Sequence, residues 1–411
     1  MTRVCVVGGG GREHALVDAL ARTAEVVCCP GNPGIARMAT CVGGPPEQVD
    51  ADLYVVGPEA PLVDGLADRL RTGGRLVLGP GADGARLEGS KAWMKEILLR
   101  AGVPTARHGT FTALDPAIDF LKSLPGPWVV KTDGLAAGKG VLVTDDIGEA
   151  ADDVQAKLTG MAFGDAGRTV VVEEGLTGSE LSILALCDGR RAVALPAAQD
   201  YKRIGDGDVG PNTGGMGAYS PVAAASDDLV AEVMERAILP TLDVLRAEGI
   251  DYRGILYAGL MLTPDGVRVL EYNVRFGDPE TEVVLPRIDD DLAAWLGAAA
   301  AGGLPDGSPR VSTDAAVTVV MAGAGYPTAP KTGAVISGLD DAASMPGVRV
   351  YHAGTTRTPD GAIAVAGGRV LAVTGAGSDL RRARAAAYAG VACIDFEGAQ
   401  WRTDIAKEAT R

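Results

Sequence analysis

One segment combines glycines, alanines and two lysines between two apolar runs. It reads KTDGLAAGKGV from Lys131 onward, and its later glycines and second lysine are Gly134, Gly138, Lys139 and Gly140. Glycines let backbone amides approach phosphate oxygens, while the lysine ammonium groups supply charge. It is not a Walker A loop, because the glycine spacing is one residue short and Gly140 stands where Ser or Thr would bind magnesium. The segment predicts phosphate binding, with a flexible hairpin as the alternative.

A predicted strand near residue 271 carries a second set of polar groups. Strand alternation puts Glu271, Asn273 and Arg275 on one face. Carboxylate and amide oxygens suit a hard cation such as magnesium, and a guanidinium binds an anion. The pattern favours a magnesium-phosphate site, and an exposed salt-bridge face is the alternative.

Two glycine turns follow apolar strands near the N-terminus. The first, Gly8 to Gly11, opens a helix whose N-terminus suits a phosphate. A dinucleotide fingerprint fails there, because Glu13 replaces the third glycine. The second turn, Gly57-Pro58-Glu59, lies at the same predicted sheet edge, where open parallel sheets bind ligands. These turns favour a monophosphate over NAD, although turns of this kind also serve packing alone.

Two weaker signals lie on other segments. Lys91 stands at the positive end of a predicted helix, where an anionic ligand would offset the unfavourable macrodipole. A solvated lysine is the alternative. The segment Glu173 to Glu180 connects two strands and could present backbone and carboxylate groups to a purine and its ribose, although acidic turns are more often structural.

The elements that must position these groups indicate an α/β protein of several domains. Residues 1–102 alternate short strands with helices, which predicts a doubly wound parallel sheet. Residues 128–196 read as strands joined by glycine turns, and we expect one small antiparallel sheet plus a helix, inserted like a lid. A further antiparallel pair follows at 255–273. We place domains at 1–102, 103–312 with a lid over about 125–192, and 313–411.

Composition limits the possible function classes. The chain has 411 residues, 47% apolar and 22% charged, which indicates a folded globular protein. Its net charge of -15, without a basic cluster, argues against nucleic-acid binding. The six cysteines form no CxxC pair, so neither a zinc site nor a disulfide framework is expected. No secretory signal or membrane-length apolar run is visible, so we expect a cytoplasmic protein.

Taken in order, these segments resemble the phosphoribosylamine-glycine ligases, the glycinamide ribonucleotide synthetases of the ATP-grasp superfamily. The resemblance covers essentially the whole chain. It is carried by GGGGREHAL, PGNPG, VGPEAPLV, LEGSKA, KTDGLAAGKGV, AFGDAG, QDYKR, GPNTGGMGAYSP, LYAGLM and EYNVRFGDPE. It implies an N-terminal substrate domain with a doubly wound parallel sheet, an ATP-grasp domain with antiparallel sheets and a mobile lid, and a small C-terminal α+β domain.

The resemblance also implies roles for individual residues. The ATP phosphates would be held by Lys91, Lys131, Gly134, Gly138, Lys139 and Gly140. The nucleoside would meet Glu173 and the Leu176 backbone at adenine and Glu180 at ribose. A magnesium or manganese ion would be bound by Glu271 and Asn273. The phosphoribosylamine would lie against Gly8, Gly10, Gly11, Gly57, Pro58 and Glu59. The reaction centre would be lined by Asp200, Lys202, Asn212, Thr213 and Arg275.

Three positions depart from the pattern that the resemblance implies. The family usually shows FLDGEE where this chain has GLTGSE at 175–180, so the adenine wall loses an aromatic ring. The family usually has Gln where Glu282 stands. Many ATP-grasp enzymes carry another metal-binding acid on the preceding strand, and we look for that position at Ala258.

The implied reaction joins glycine to 5-phosphoribosylamine through glycyl phosphate, with release of ADP and phosphate, in purine biosynthesis. It requires no enzyme nucleophile, in agreement with the absence of a convincing Ser-His-Asp or Cys-His set. The expected partners are therefore these small molecules, and we expect a monomer without nucleic acid or membrane. Other ATP-grasp ligases or carboxylases, a non-catalytic nucleotide-binding regulator and, less favoured, an NAD oxidoreductase are the alternatives.

Overall fold

The structure is a computed structural model that describes residues 1–135, 140–161 and 168–410. An N-terminal parallel sheet of five strands has the order β3-β2-β1-β4-β5. These strands are β1 Arg3–Gly8, β2 Glu25–Pro30, β3 Thr40–Cys41, β4 Leu53–Val56 and β5 Leu76–Leu78. The helices of this region are α1 Gly11–Leu20, α2 Glu59–Val63, α3 Leu66–Thr72, α4 Ala82–Gly89 and α5 Lys91–Arg100. The predicted doubly wound sheet is confirmed, because its central strands are continuous apolar runs buried on both faces.

A four-stranded antiparallel sheet follows, in the order β6-β9-β7-β8. Its strands are β6 His108–Phe111, β7 Trp128–Thr132, β8 Val141–Thr144 and β9 Val170–Glu174. Two helices cover one face of this sheet, α6 Leu114–Lys122 and α7 Ile147–Leu158. Ala117, Leu121, Ala150 and Val154 pack against Val130 in a small separate core.

A second antiparallel sheet has the order β11-β10-β16-β17. Its strands are β10 Ser179–Asp188, β11 Ala192–Ala194, β16 Arg253–Thr263 and β17 Gly266–Asn273. The expectation of one sheet over residues 128–196 was wrong, because β10 pairs along its length with β16, which lies about seventy residues later. Strand patterns show which residues extend but not which partner they choose, since long-range pairing depends on packing.

The C-terminal region is built on a third antiparallel sheet, in the order β12-β15-β18-β22-β19. Its strands are β12 Gln199–Asp200, β15 Gly217–Ser220, β18 Ala315–Ala322, β19 Val348–His352 and β22 Arg369–Gly377. Two short ribbons flank it, β13 Arg203–Gly205 with β14 Val209–Asn212 and β20 Thr355–Arg357 with β21 Ile363–Val365. Strands β12 and β15 lie within residues 103–312, the predicted ATP-grasp domain, and β15 pairs with the C-terminal strand β18, so this sheet joins the two regions.

Six further helices complete the described structure. They are α8 Asp227–Val233, α9 Leu239–Ala247, α10 Thr281–Val284, α11 Leu292–Ala301, α12 Leu339–Ala343 and α13 Leu380–Cys393. The largest apolar core is continuous from the N-terminal sheet through the central sheet to the C-terminal one, through residues such as Val56, Leu256 and Val319. Within the described ranges, no helix is both long enough and apolar enough to cross a membrane.

The N- and C-terminal regions meet at a buried pair of histidines. His14 Nδ1 accepts a hydrogen bond of 2.8 Å from the backbone N–H of His352. Tyr351 packs edge-on against the His14 ring and donates to Asp18 Oδ2 at 3.1 Å. A Cβ at Gly34 would lie only 2.4 Å from His352 Cγ and 2.6 Å from His14 Cε1. The contact between the two regions therefore depends on a residue without a side chain at this position.

We expect Gly34→Ala to lower the melting temperature, because two packed rings must move and overpacking costs roughly 1 to 3 kcal/mol. Gly297→Ala is the matched control, since it lies in α11 with no atom within 4 Å of the added Cβ. That control should stabilise the protein by up to about 1 kcal/mol through helix propensity. Differential scanning calorimetry of both variants measures the effect. Equal melting temperatures for Gly34→Ala and wild type would contradict this account of the interface.

Candidate active site

Two adjoining cavities lie between the N-terminal, central and C-terminal parts of the fold. The larger, of about 560 Å³, lies between the sheet of β6 to β9 and the sheet of β10, β16 and β17. The smaller, of about 420 Å³, lies between the N-terminal region, β17 and the C-terminal region. Both cavities are lined by Val141, Asp200, Lys202, Thr213 and Glu271. A molecule bound in one cavity can therefore react with a molecule bound in the other.

The larger cavity has an apolar end and a charged end. Apolar side chains line it from four strands, namely Val129, Val143, Met261 and Leu270. The connection after β9 adds the edge formed by Glu174, Gly175, Leu176, Gly178 and Ser179. Aliphatic walls with free backbone groups at one edge suit a planar heterocyclic base. The missing aromatic residue in 175–180 leaves these walls aliphatic.

A buried cluster of three charges forms one wall of the larger cavity. Glu173 is 2% exposed and accepts a hydrogen bond of 2.9 Å from Lys95. The Lys131 ammonium lies 3.0 Å from the second oxygen of Glu173. Burial alone raises the pKa of Glu173, but Lys131 and Lys95 outweigh it and hold the pKa below its usual range. Glu173, predicted to contact adenine, therefore has both oxygens directed at lysines.

The carboxylate of Glu271 lies at the boundary between the two cavities. Burial alone raises its pKa, but the nearby ammonium groups of Lys202, Lys131 and Lys91 hold the pKa below its usual range. Asn273 follows on the same face of β17 and lines the smaller cavity. Its Oδ1 accepts a hydrogen bond of 3.3 Å from Arg275. The ionised oxygen of Glu271 and the amide oxygen of Asn273 form a hard donor pair that fits magnesium.

The register of β16 and β17 also corrects the expectation for Ala258. Ala258 pairs with Tyr272 and Gly259 pairs with Glu271. Because neighbouring residues on a strand point to opposite faces, Ala258 lies on the face away from Glu271. The described residues contain no group of three or more His, Cys, Asp or Glu side chains arranged for a metal ion.

Arg275 links the strand β17 to the N-terminal region through two carboxylates. It donates to Glu88 at 2.8 Å and to Glu59 at 3.3 Å. Burial alone lowers the pKa of Arg275, but these two carboxylates outweigh it and raise the pKa. The guanidinium lines the smaller cavity, as predicted, although part of its donor capacity is used by protein carboxylates.

Asp200 and Lys202 bring two opposite charges to both cavities. Burial, with smaller effects of Glu280 and Glu180, raises the pKa of Asp200 to about 8 even though Lys202 opposes the shift. Lys202 donates to Glu180 at 2.6 Å. Burial alone lowers the pKa of Lys202, but Asp200 and Glu180 raise it well above the usual range. The pair thus places a carboxyl that can exchange a proton beside a permanent cation.

The N-terminal glycine turns surround a protein carboxylate. Glu13 Oε2 accepts a hydrogen bond of 2.6 Å from the backbone N–H of Gly10. A Cβ at Gly8 would lie 2.7 Å from Glu13 and a Cβ at Gly57 would lie 2.1 Å from it. The glycines are therefore needed for close packing around Glu13. Of the predicted substrate contacts, Pro58 and Glu59 line the smaller cavity, whereas Gly8, Gly10, Gly11 and Gly57 do not belong to its lining.

The remaining phosphate-binding predictions fall at the cavity mouth. Lys91 Nζ donates to the carbonyl of Gly134 at 3.0 Å and lines the smaller cavity together with Gly140. Asp133 accepts a hydrogen bond of 3.1 Å from the Ala92 N–H at the start of α5. The N-terminus of α5 thus already has a negative charge beside it, that of Asp133 in the same chain, where an anionic ligand was expected. Gly138 and Lys139 lie outside the described residues.

Several residues of the site were missed by sequence reasoning. Arg369 and Tyr326 reach the smaller cavity from the C-terminal region and were not predicted. Asn212 and Thr213, which the sequence analysis named, both line the larger cavity. Arg369 forms an ion pair of 3.0 Å with the Asp278 carboxylate and donates to the Asp278 carbonyl at 2.9 Å. No local motif marks Arg369, so only the tertiary structure reveals it. Lys95 had a detectable signal, because it follows Lys91 by four residues and must share its helix face.

A buried carboxyl beneath the smaller cavity lacks a hydrogen-bond partner. Both oxygens of Glu282 are unpartnered within the part of the chain that the structure describes. The residue has no exposed surface, and its Oε1 would lie 2.7 Å from a Cβ at Gly11. Burial raises its pKa well above the usual range, Asp278 adds to this, and Arg369 opposes it. Burial and Asp278 therefore favour the protonated form of Glu282, which resembles glutamine in shape and charge.

A nucleotide-sized cavity between two antiparallel sheets, open to a second cavity over a parallel sheet, defines the ATP-grasp class of enzymes. Models of the phosphoribosylglycinamide synthetase N domain, ATP-grasp (A) domain and C domain match residues 2–88, 89–281 and 316–408. The chain belongs to the phosphoribosylglycinamide synthetase family.

Individual relatives agree with this assignment. The phosphoribosylamine--glycine ligase of Streptomyces coelicolor is 50% identical over 99% of both chains. The crystal structure of the phosphoribosylamine--glycine ligase of Thermotoga maritima is 36% identical, covers 98% of this chain and all of its own, and superposes with a TM-score of 0.87. The biotin carboxylase domain of Hydrogenobacter thermophilus 2-oxoglutarate carboxylase is 17% identical and covers 97% of this chain and 91% of its own. Its TM-score of 0.71 indicates a shared fold.

We expect Glu282→Gln to stabilise the protein increasingly as the pH rises above about 4.5. The folded wild type keeps a proton that the unfolded chain releases above its ordinary pKa, so wild-type stability falls as the pH rises toward the folded pKa. Glutamine does not titrate, so the variant avoids this loss. Thermal melts at pH 5 and pH 8 measure the difference, at about 2 °C for each kcal/mol.

Glu397→Gln, at an exposed position, is the matched control and should show no pH-dependent gain. A gain for Glu282→Gln that is the same at both pH values would show that Glu282 does not carry the extra proton.

Proposed function

We propose that this chain joins glycine to 5-phosphoribosylamine with hydrolysis of ATP to ADP and phosphate, and thereby makes glycinamide ribonucleotide in purine biosynthesis. The observation that carries the proposal is the shared boundary of the two cavities, where Asp200, Lys202 and Glu271 face both. Such a boundary suits transfer of a phosphoryl group between a nucleotide and a second substrate. The family, and full-length relatives that are named phosphoribosylamine--glycine ligases, support the same reaction.

The nucleotide is proposed to lie in the larger cavity. Its base fits between Val143 and Met261, with the backbone at Leu176 along its edge. The ribose then lies toward Glu180 and the phosphates toward Lys131 and the charged end of the cavity. We assign Glu173 an indirect role, because its oxygens contact Lys95 and Lys131. The adenine is then contacted by the backbone at Leu176.

A divalent metal is proposed to bind at Glu271 and Asn273. As predicted from the sequence, the ion is magnesium or manganese. The Hydrogenobacter biotin carboxylase domain of the same fold was crystallised with ADP and magnesium, which supports this class of cofactor. When bound, such an ion would neutralise charge on the phosphates. Lys202, Lys131 and Lys91, which surround Glu271, supply positive charge from the protein itself.

The second cavity is proposed to hold the other two substrates. A glycine carboxylate oxygen attacks the γ-phosphorus, ADP leaves, and glycyl phosphate forms. The amine of phosphoribosylamine then attacks the glycyl carbonyl carbon, and the carbon–oxygen bond to phosphate breaks. The amine loses a proton in this second step, and the carboxylate form of Asp200, which lines both cavities, is placed to accept it.

Charged groups in the smaller cavity divide between these substrates. Arg275, beside Asn273, is proposed to orient the glycine carboxylate with its planar guanidinium. Arg12 and Arg369 line the same cavity from opposite ends of the chain and are proposed to face the sugar phosphate. The Gly8 to Gly11 turn then acts by packing around Glu13. A monomeric state, a cytoplasmic location and the domain limits stay predictions from the sequence.

An assay of ADP release tests this function directly. We expect release only when glycine and freshly formed phosphoribosylamine are both present, with glycinamide ribonucleotide detected by mass spectrometry. Bicarbonate in place of glycine is the control for a carboxylase, and omission of either substrate is the control for ATP hydrolysis. ADP release that depends on bicarbonate and not on glycine would refute the proposal.

Glu271→Gln should lower kcat by on the order of a hundredfold or more while the melting temperature stays near that of wild type. The substitution keeps the shape but removes the charge that suits a metal ligand among three lysines. Titration of activity with magnesium at saturating ATP measures the effect. Asp265→Asn, in the exposed turn of the same hairpin, is the control. Wild-type turnover with an unchanged magnesium requirement would remove Glu271 from the metal site.

A further inference from the structure

Lys95 is a buried lysine without an assigned role in the reaction. Its side chain is 1% exposed, and its ammonium donates to Glu173 at 2.9 Å and to Thr105 Oγ1 at 2.8 Å. Thr105 in turn donates to the carbonyl of Val269 at 2.6 Å. The ammonium thus ties α5 to β9 and, through Thr105, to β17. It has no direct access to the larger cavity, whose lining includes Lys131 and Glu173 but not Lys95.

We propose that Lys95 is a positioning residue for ATP, which holds Glu173 so that the ammonium of Lys131 keeps both its place and its net positive charge toward the phosphates. The inference rests on the proposed function, since it assigns the nucleotide phosphates to Lys131.

The geometry of the cluster supports this role. Lys131 Nζ lies 3.0 Å from Glu173 and donates to the carbonyl of Leu270 at 3.2 Å. An ammonium has three donors, so the hydrogen bond to Leu270 and the ion pair with Glu173 restrict its position and leave donor capacity for a ligand. The other Glu173 oxygen is occupied by Lys95. Without Lys95 this carboxylate oxygen would have to find another donor, and the position of Lys131 would no longer be determined.

The charge balance leads to the same conclusion. Two lysines and one carboxylate carry a net charge of about +1 when all are ionised. With Lys95 removed, Glu173 and Lys131 form a neutral pair in a buried site. A neutral pair attracts a polyphosphate less strongly than a cation does, and the difference is large where water is excluded.

The cluster is also expected to respond to pH. Burial lowers the pKa of Lys95 to about 8, and Lys131 adds to this shift, whereas Glu173 and Glu271 oppose it. These groups face Lys95 from β7, β9 and β17. Below pH 8 the ammonium is charged and the cluster keeps its excess cation. Above that pH the charge is lost, so the KM for ATP should rise.

Steady-state kinetics of Lys95→Met and Lys95→Arg test the proposal across pH 6.5 to 9.5, a range of about 1.5 units on either side of the expected pKa. Lys95→Met should raise the KM for ATP on the order of tenfold at pH 7 and leave the glycine KM near the wild-type value. The wild-type rise in ATP KM above about pH 8 should be absent from both variants, because methionine does not titrate and arginine stays charged. Lys122→Met, at an exposed position, is the control.

A double-mutant cycle with Glu173→Gln separates positioning from general stabilisation. If Lys95 acts through Glu173, Lys95→Met should change the ATP KM much less in the Glu173→Gln background than in wild type. An equal effect in both backgrounds, or a lowered melting temperature with unchanged ATP KM, would overturn the proposal. If Lys95→Met does not fold, the pH profile of Lys95→Arg decides: a retained rise in ATP KM above pH 8 overturns the proposal, and its loss supports it.

Failure of the proposed function gives a different result. Wild-type protein would then show no glycine-dependent ADP release, whatever the residue at position 95. Direct binding of ATP, measured by calorimetry without glycine or amine, still tests the role of Lys95 in that case. Identical ATP affinities for wild type and Lys95→Met would overturn the positioning role independently of the reaction.

Discussion

The arrangement of this site depends on the need to pair charges that are buried away from water. An unpaired ion in a protein interior costs several kcal/mol, whereas a paired and hydrogen-bonded one costs much less. Glu173 is therefore held between Lys95 and Lys131, whereas Lys202 and Glu180 form a pair that is only partly buried. A ligand with several negative charges can replace a carboxylate as the partner of such a lysine. The lysine then stays paired.

The same constraint connects parts of the chain that are far apart in sequence. Arg275 pairs with Glu59 and Glu88 of the N-terminal region, and Arg369 of the C-terminal region pairs with Asp278. These pairs surround the smaller cavity, so its walls come from the N-terminal region, β17 and the C-terminal region. Glu282 differs because neither of its oxygens has a hydrogen-bond partner among the described residues, and burial raises its pKa well above the usual range.

Several residues behave as their local patterns suggest, and the reason is physical. The strand alternation of β17 does place Glu271 and Asn273 together at the cavity boundary, since neighbours two apart on a strand share a face. The glycines at 8–11 and 57 have the conformational freedom expected of a ligand loop. At Gly8, Gly10 and Gly57 the structure uses that freedom to pack around a carboxylate of the same chain, Glu13, which lies within 3 Å of the added Cβ positions there.

The sequence by itself determined the family, the parallel N-terminal sheet and several charged residues that line the cavities, such as Glu271 and Lys131, because these follow from local motifs, apolar runs and strand alternation. The tertiary structure alone decided that β10 pairs with β16, that Glu173 faces Lys95, and that Arg369 reaches the site. Each of these depends on groups distant in sequence. Strand pairing and ion pairing are set by which surfaces and charges meet when the core is buried, and that is a property of the whole fold.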